Sequence, residues 1–246
     1  MTENFRRIAT SVSSAVESRL FSEYGAIFLT RATPPPKIIF RDSSEVESFQ
    51  SSLSTRSAML GDHPIELQRE AMDALLAAAA EMNKAGKAIT ARAADAGRRS
   101  YEDTVRLWTR NVTRGLDHWQ EEGRINASRA EEIIALAPAD QVRVILSLED
   151  EEQVYFGTFF DKSILYSVAA PGASQHLALL AFDVAEFEEA EIEQMLAQFG
   201  WHRTVRNDFP HFTYLGYEEK DLPRLGLKKV ARSYKDRDYD FWVPDV

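Results

Sequence analysis

The sequence predicts an α+β fold, with helices gathered in the first 150 residues and a small antiparallel sheet, flanked by helices, in the remainder. Two observations lead there. Apolar residues recur at helical spacing through residues 64–84 and 100–122. From residue 153 the texture changes to VYFGTFF, SILYSVAA, LALLAFDV, WHRTV and HFTYLGY, short β-branched and aromatic runs punctuated by Gly, Pro and Asp. The chain shows no internal repeat and no low-complexity tract.

In order, residues 4–22 read as a modestly amphipathic helix. AIFL (26–29) and KIIF (37–40) read as two strands around the stiff TPPP segment. SSEVESFQ opens a helix with Ser43 or Ser44 as N-cap. Pro64 in a first turn, followed by Ile65, Leu67, Met72, Leu75, Leu76, Ala79 and Met82, predicts a helix over 64–84, closed by Gly86. KAIT (87–90) can begin a strand. Val105, Leu107, Trp108, Val112, Leu116 and Trp119 predict a helix over 100–122. Shorter helices follow at 127–136 and 139–148, divided by Pro138, and EDEE (149–152) reads as a solvated turn. A helix over 186–199 interrupts the strand-like segments.

Bulk composition narrows the function classes. A net charge of −10 argues against nucleic acid and anionic membranes as partners. The absence of cysteine excludes disulfides, thiolate zinc sites and cysteine nucleophiles. No stretch approaches the roughly 20 apolar residues of a membrane span. Glu17 and Arg19 break the segment behind Arg6 and Arg7, so no signal peptide is read. The expectation is a cytoplasmic protein, or a periplasmic or cell-wall-associated one whose leader has been removed.

The polar residues that stand out are few. His176 and Asp183 sit seven positions apart in the apolar run GASQHLALLAFDV. A buried carboxylate is costly unless paired or bound to a metal. His211 lies in NDFPHFTYLG, three residues after Asp208, and Pro210 favours an extended backbone at Phe209. On a strand, His211 and Thr213 share one face, and Phe212 and Tyr214 the other. Two histidines and a carboxylate, with a fourth position for water, make a common catalytic zinc arrangement. Asp208 would then be a spare carboxylate near the ion, available as a base. A metal-free reading, with His176 and His211 as hydrogen-bonded core residues, fits the same residues. Among the other histidines, His63 reads as a surface turn residue, His118 as a packed helix residue and His202 as a strand residue opposite Trp201.

These segments resemble the zinc D-alanyl-D-alanine carboxypeptidases, the VanY-like family of the hedgehog/DD-peptidase fold. Ser174, His176, Ala181 and Asp183 fall in register with the family's S-x-H-x-x-G-x-A-x-D signature. DFPHFTY is similar to its E-P-W-H-F-x-Y motif, with His211 as third ligand. DAGRRSYEDTVRLW (95–108) is similar to its S-G-Y-R-S-Y segment and puts Arg99 at the family's arginine. The resemblance covers roughly residues 64–217. It divides the chain into an N-terminal extension, 1–60, and a peptidase-like domain, 61–246, with a helical insertion at about 115–150. Departures from the pattern are Leu179 for Gly, Asp208 for Glu, Ala96 for Ser, Arg98 for Tyr, and Thr104 where Gln is frequent; the proline has moved to Pro210.

The resemblance implies Zn²⁺ held by His176, Asp183 and His211, and Asp208 as general base. It also implies Arg99 and Ser174 on the substrate carboxylate or oxyanion, and a peptide substrate ending in D-Ala-D-Ala. Tyr101, Trp201 and Tyr214 are possible pocket walls or core residues. Residues 92–114 carry six arginines against Asp95, Glu102 and Asp103, which suits an anionic substrate or a salt-bridged helix face. Two alternatives remain open: a zinc-bearing binding protein of the same fold that does not cleave, and an endopeptidase of cell-wall peptides.

Overall fold

The computed structural model describes residues 2–246. It is an α+β assembly built on a three-stranded antiparallel sheet with two separate hairpins beside it. The N-terminal segment forms two helices, α1 (Glu3–Ser11) and α2 (Ala15–Tyr24), where one had been expected. Ser14 splits them by accepting the Glu17 amide as an N-cap. AIFL is not a strand but part of a 3₁₀ turn, Gly25–Leu29, buried throughout. KIIF lies outside any strand. Helix α3 (Ser43–Ser51) follows, capped by Asp42 rather than by either serine.

The 64–84 segment corrects the sequence reading. Its first part is a strand: β1 (Thr55–Leu60) and β2 (His63–Gln68) form a hairpin, and α4 (Arg69–Lys84) starts only afterwards. Ile65 and Leu67 alternate inward, a spacing that suits a strand face as well as a helix start. Helix α5 (Tyr101–Glu121) matches expectation. Ser100 and Asp103 form a capping box, and Trp108, Val112 and Leu116 make one buried stripe.

Helices α6 (Ala127–Ile134) and α7 (Pro138–Glu152) pack on α5. The EDEE segment is the last turn of α7, and Glu149 is 1% exposed rather than solvated. It accepts from the Ile164 amide (2.6 Å), the Ser163 hydroxyl (2.7 Å) and Arg19 Nη2 (2.9 Å). Burial still raises its carboxyl above the ordinary value. VYFGTFF and SILYSVAA form no strands; they run as turns and a 3₁₀ segment, Ile164–Tyr166, folded back by a hydrogen bond from the Gly157 amide to the Lys162 carbonyl.

The central sheet has the order β3 (Ala181–Asp183), β5 (His211–Tyr214), β4 (Trp201–His202), with α8 (Ala190–Gln198) between β3 and β4 in sequence. A short α9 (Leu222–Leu225) leads into a C-terminal hairpin, β6 (Leu227–Tyr234) and β7 (Arg237–Pro244). Two apolar clusters hold the chain. One joins Phe5, Ile8 and Phe28 to Phe182, Phe212 and Trp242; the other joins Leu20 and Tyr24 to the α5–α7 helices. Residues 1–60 therefore contribute side chains to both clusters, and α2 and the 25–29 turn pack against β7.

Candidate metal centre

The register of the sheet builds the site. Asp183 pairs directly with His211 across the β3–β5 ladder, so their side chains rise on one face. His176 arrives from a 3₁₀ turn, Gln175–Ala178, just before β3. Leu179 reverses the chain between them in the left-handed conformation, with φ 54°. This is the position at which the signature has glycine. The conformation costs roughly 1–2 kcal/mol for a residue with a Cβ, and complete burial of the leucine side chain offsets it. Three carbonyls of the turn are held from outside. Gln50 Nε2 donates to Leu177 (3.0 Å), Gln68 Nε2 to Ala178 (2.8 Å) and the Gln68 amide to Leu179 (2.9 Å).

Hydrogen bonds on the outer edges of the two imidazoles fix where their protons lie. His176 Nδ1 is 2.7 Å from the Gly97 carbonyl. A carbonyl only accepts, so Nδ1 carries the proton and Nε2 the lone pair. A Cβ on Gly97 would stand 2.7 Å from Ile65 Cγ2 and 3.1 Å from the Glu66 carbonyl, so glycine allows this close approach. His211 Nε2 is 2.9 Å from Gln175 Oε1, and the Gln175 amide is oriented by its own donation to the Tyr24 carbonyl at 2.9 Å. His211 therefore protonates at Nε2 and presents Nδ1 as an acceptor.

The inward-facing atoms are thus three acceptors. His176 Nε2 and His211 Nδ1 are 3.2 Å apart, His211 Nδ1 and Asp183 Oδ1 3.2 Å, and His176 Nε2 and Asp183 Oδ1 3.3 Å. Such a triangle is repulsive without a cation at its centre. Ligands bound 2.0–2.1 Å from a tetrahedral ion lie about 3.3 Å from one another. The donor set and its spacing fit a small divalent ion, and the group could hold one.

Electrostatics agree with that role. Burial, with the Arg99 charge, lowers His176 to about 4, so it is neutral at pH 7 and free to donate its lone pair. Burial opposes ionisation of Asp183; a charged imidazole at His176 or His211 donating to it would outweigh that and hold the carboxyl well below the ordinary range, a task that passes to a bound cation when both lone pairs face inward. Arg99 Nη2 donates to Asp183 Oδ2 at 2.8 Å, and its Nε to the Asp95 carbonyl at 3.1 Å. The structure thus sets Arg99 first of all against the outer oxygen of Asp183.

Asp208 stands at the edge of the group. Its Oδ2 is 4.0 Å from His211 Nδ1, and its side chain is 46% exposed. Burial raises its carboxyl, His211 opposes, and the Asp183 charge adds to the rise; with half the side chain open, that charge is the firmer cause. The turn that carries it is tight. Asn207 has φ 64°, the Asp208 amide donates to Val205 and the His211 amide to the Asp208 carbonyl (both 3.2 Å).

His176, Asp183, His211, Asp208, Arg99 and Ser174 all line one open cleft of about 450 Å³. The three possible wall residues do not. Trp201 is fully buried, Tyr214 packs against the core, and Tyr101 sits beside the Phe40–Val46–Leu177 cluster. Gln175, which organises the floor, is absent from the sequence reading. Its Oε1 accepts from His211, from Thr204 (3.1 Å) and from Thr213. The one available signal was an amide beside a candidate ligand in an apolar run.

No protein-family model matches the chain, and no curated protein does. Among solved structures the chain is similar to the LdcB LD-carboxypeptidase, from work on the molecular basis of peptidoglycan recognition. The identity is 19% and the TM-score 0.36, over 61% of this chain and 60% of that one. The likeness thus spans less than two thirds of that protein's length.

Proposed function

We propose that the chain is a zinc-dependent metallopeptidase, a D-alanyl-D-alanine carboxypeptidase acting on peptidoglycan stem peptides or their precursors, with His176, Asp183 and His211 as metal ligands. One observation carries the reading: three lone-pair atoms converge at 3.2–3.3 Å while both imidazole protons are tied to acceptors behind them. The three motifs shared with the VanY-like family support the substrate class. Zinc in such a site supplies a Lewis acid and a water of lowered pKa.

The chain's own groups then have distinct tasks. Asp208 takes a proton from water and returns it to the leaving amine. Its side chain is one methylene shorter than glutamate, and its Oδ2 stands 4.0 Å from His211 Nδ1. Arg99 neutralises the outer oxygen of Asp183 and keeps N–H groups for the substrate carboxylate or the developing oxyanion. Ser174, at the start of the ligand turn, adds a hydrogen bond to that carboxylate.

The test is metal analysis of the purified protein, followed by incubation with a pentapeptide ending in D-Ala-D-Ala and mass spectrometry. Retained zinc and release of a single terminal alanine, both lost on chelation, are expected. A cut inside the stem would make it an endopeptidase. Zinc with an intact peptide would overturn the peptidase reading and leave a binding protein of the same architecture.

A further inference from the structure

One wall of the cleft is aromatic and is used by nothing in the chemistry above. Phe187, Phe209 and Tyr234 line it, each half-buried. Phe209 stacks on Tyr234 with ring centroids 4.6 Å apart, and Phe187 lies 6.2 Å from Tyr234. Tyr234 ends β6, in a hairpin beyond the segment that resembles the peptidase family. The hairpin tip is fastened in place. Lys235 pairs with Glu188 at 2.6 Å, Arg237 Nη1 donates to the Glu188 carbonyl at 2.7 Å, and Arg237 pairs with Glu193. Beneath the shelf, the fully buried Arg203 donates from Nε to the Phe209 carbonyl (2.7 Å) and from Nη2 to the Phe187 carbonyl (2.8 Å). Two of the three rings are therefore set by one guanidinium, and the third by a latched hairpin.

Arg92 completes the wall. Its guanidinium lies over the Phe187 ring at 5.6 Å and makes no hydrogen bond or ion pair among the described residues. An exposed cation in a chain of net charge −10, resting on an apolar shelf at the mouth of a cleft, is arranged to meet an anion. Arg98 pairs with Glu66, Arg99 with Asp183 and Arg106 with Asp103; Arg110, on the same cleft, is as unpaired as Arg92 among the described residues but lies over no ring.

We propose that Phe187, Phe209, Tyr234 and Arg92 form a specificity subsite for an aliphatic side chain ending in a carboxylate. The rings cover the methylenes and Arg92 pairs with the charge. The inference rests on the peptidase reading for its orientation. In that reading the leaving residue is a single alanine, so a three-ring shelf serves the acyl side.

The experiment uses acetylated tripeptides, Glu-D-Ala-D-Ala and Gln-D-Ala-D-Ala, with the last amide replaced by a non-cleavable CH₂–NH link. Binding to the full chain is measured by calorimetry with and without added zinc. The glutamate peptide should bind about fivefold tighter than the glutamine one. Arg92→Gln should abolish that preference, and Arg110→Gln, on the same cleft, should leave it intact. Tyr234→Ala should weaken both peptides by about three- to tenfold while zinc content stays unchanged. Equal binding of the two peptides by the wild type, a preference that survives Arg92→Gln, or one removed by Arg110→Gln overturns the proposal. Peptide hydrolysis is scored separately with cleavable versions. A preference for glutamate without any cleavage would sink the peptidase reading and leave the subsite standing.

Discussion

Replacing Gln175 with methionine probes whether the metal site is built by its outer hydrogen bonds. The side chain is 3% exposed, and methionine keeps its length and approximate volume. Four partners lose their contact: His211 Nε2, the hydroxyls of Thr204 and Thr213, and the Tyr24 carbonyl. The hydroxyls remain 2.7 Å from each other and satisfy one another. Two buried groups are left unpaired, the His211 N–H and the Tyr24 carbonyl, at roughly 1–3 kcal/mol each. The expected loss of stability is therefore about 2–6 kcal/mol with both unpaired, and about 1–3 kcal/mol where His211 finds another acceptor. His211 has an escape. Its proton can move to Nδ1, where Asp183 Oδ1 stands 3.2 Å away as an acceptor. That repairs the metal-free protein but removes a ligand lone pair, so zinc affinity should fall by about 10–100-fold. Competition with a chromophoric chelator measures the affinity, and urea unfolding of the metal-free protein measures the stability. Unchanged zinc affinity alongside a normal loss of stability would show that Gln175 does not set the His211 tautomer, and the fit argument would fail with it.

The remaining expectations are simpler. Asp183→Ala should eliminate zinc retention, whereas Asp208→Ala should retain zinc and lower peptide hydrolysis by about 10²-fold or more, read by metal analysis and steady-state kinetics. Gly172→Ala should destabilise by about 3 kcal/mol or more in thermal unfolding, because φ is +80° and the new Cβ would fall 1.9 Å from the Phe40 carbonyl oxygen. Glu45 is held at about 2 by the Arg41 amide and by Lys37 and Arg41. Its folded value is depressed, so its contribution to stability is complete above about pH 4.5 and fades as pH falls through about 2. Glu45→Gln should therefore lose more stability at pH 7 than at pH 2; an equal loss at both would contradict the linkage.

What the sequence disclosed depended on whether a residue's environment leaves a periodic trace. Helix α5 was legible because its cap, its charge pattern and its apolar stripe all agree. The β1–β2 hairpin was not, since β1 is largely exposed and Ile65 and Leu67 fit two periods at once. The aromatic runs between 153 and 169 read as strands because such residues suit a pleated surface, but here they run as turns, with Val154, Phe156, Ile164 and Leu165 buried against α5–α7 and Phe159 exposed. At the candidate site, His176, Asp183 and His211 stood out as polar residues in apolar surroundings, and the structure brings them together. Gln175, Gly97 and the shelf did not. A buried amide, a close backbone approach and a ring contributed by a distant hairpin depend on tertiary neighbours that no local spacing encodes.

The packing of the N-terminal helices has a consequence for how the protein folds. Phe21 and the Gly25–Leu29 turn are separated from their partner strand β7 (Arg237–Pro244) by most of the described residues. Tyr24, whose carbonyl orients Gln175, belongs to the same segment. Folding must bring these apolar surfaces together across a long intervening segment, a closure that favours slow completion. The support that reaches His211 through Gln175 and Tyr24 is therefore complete only when that closure is made.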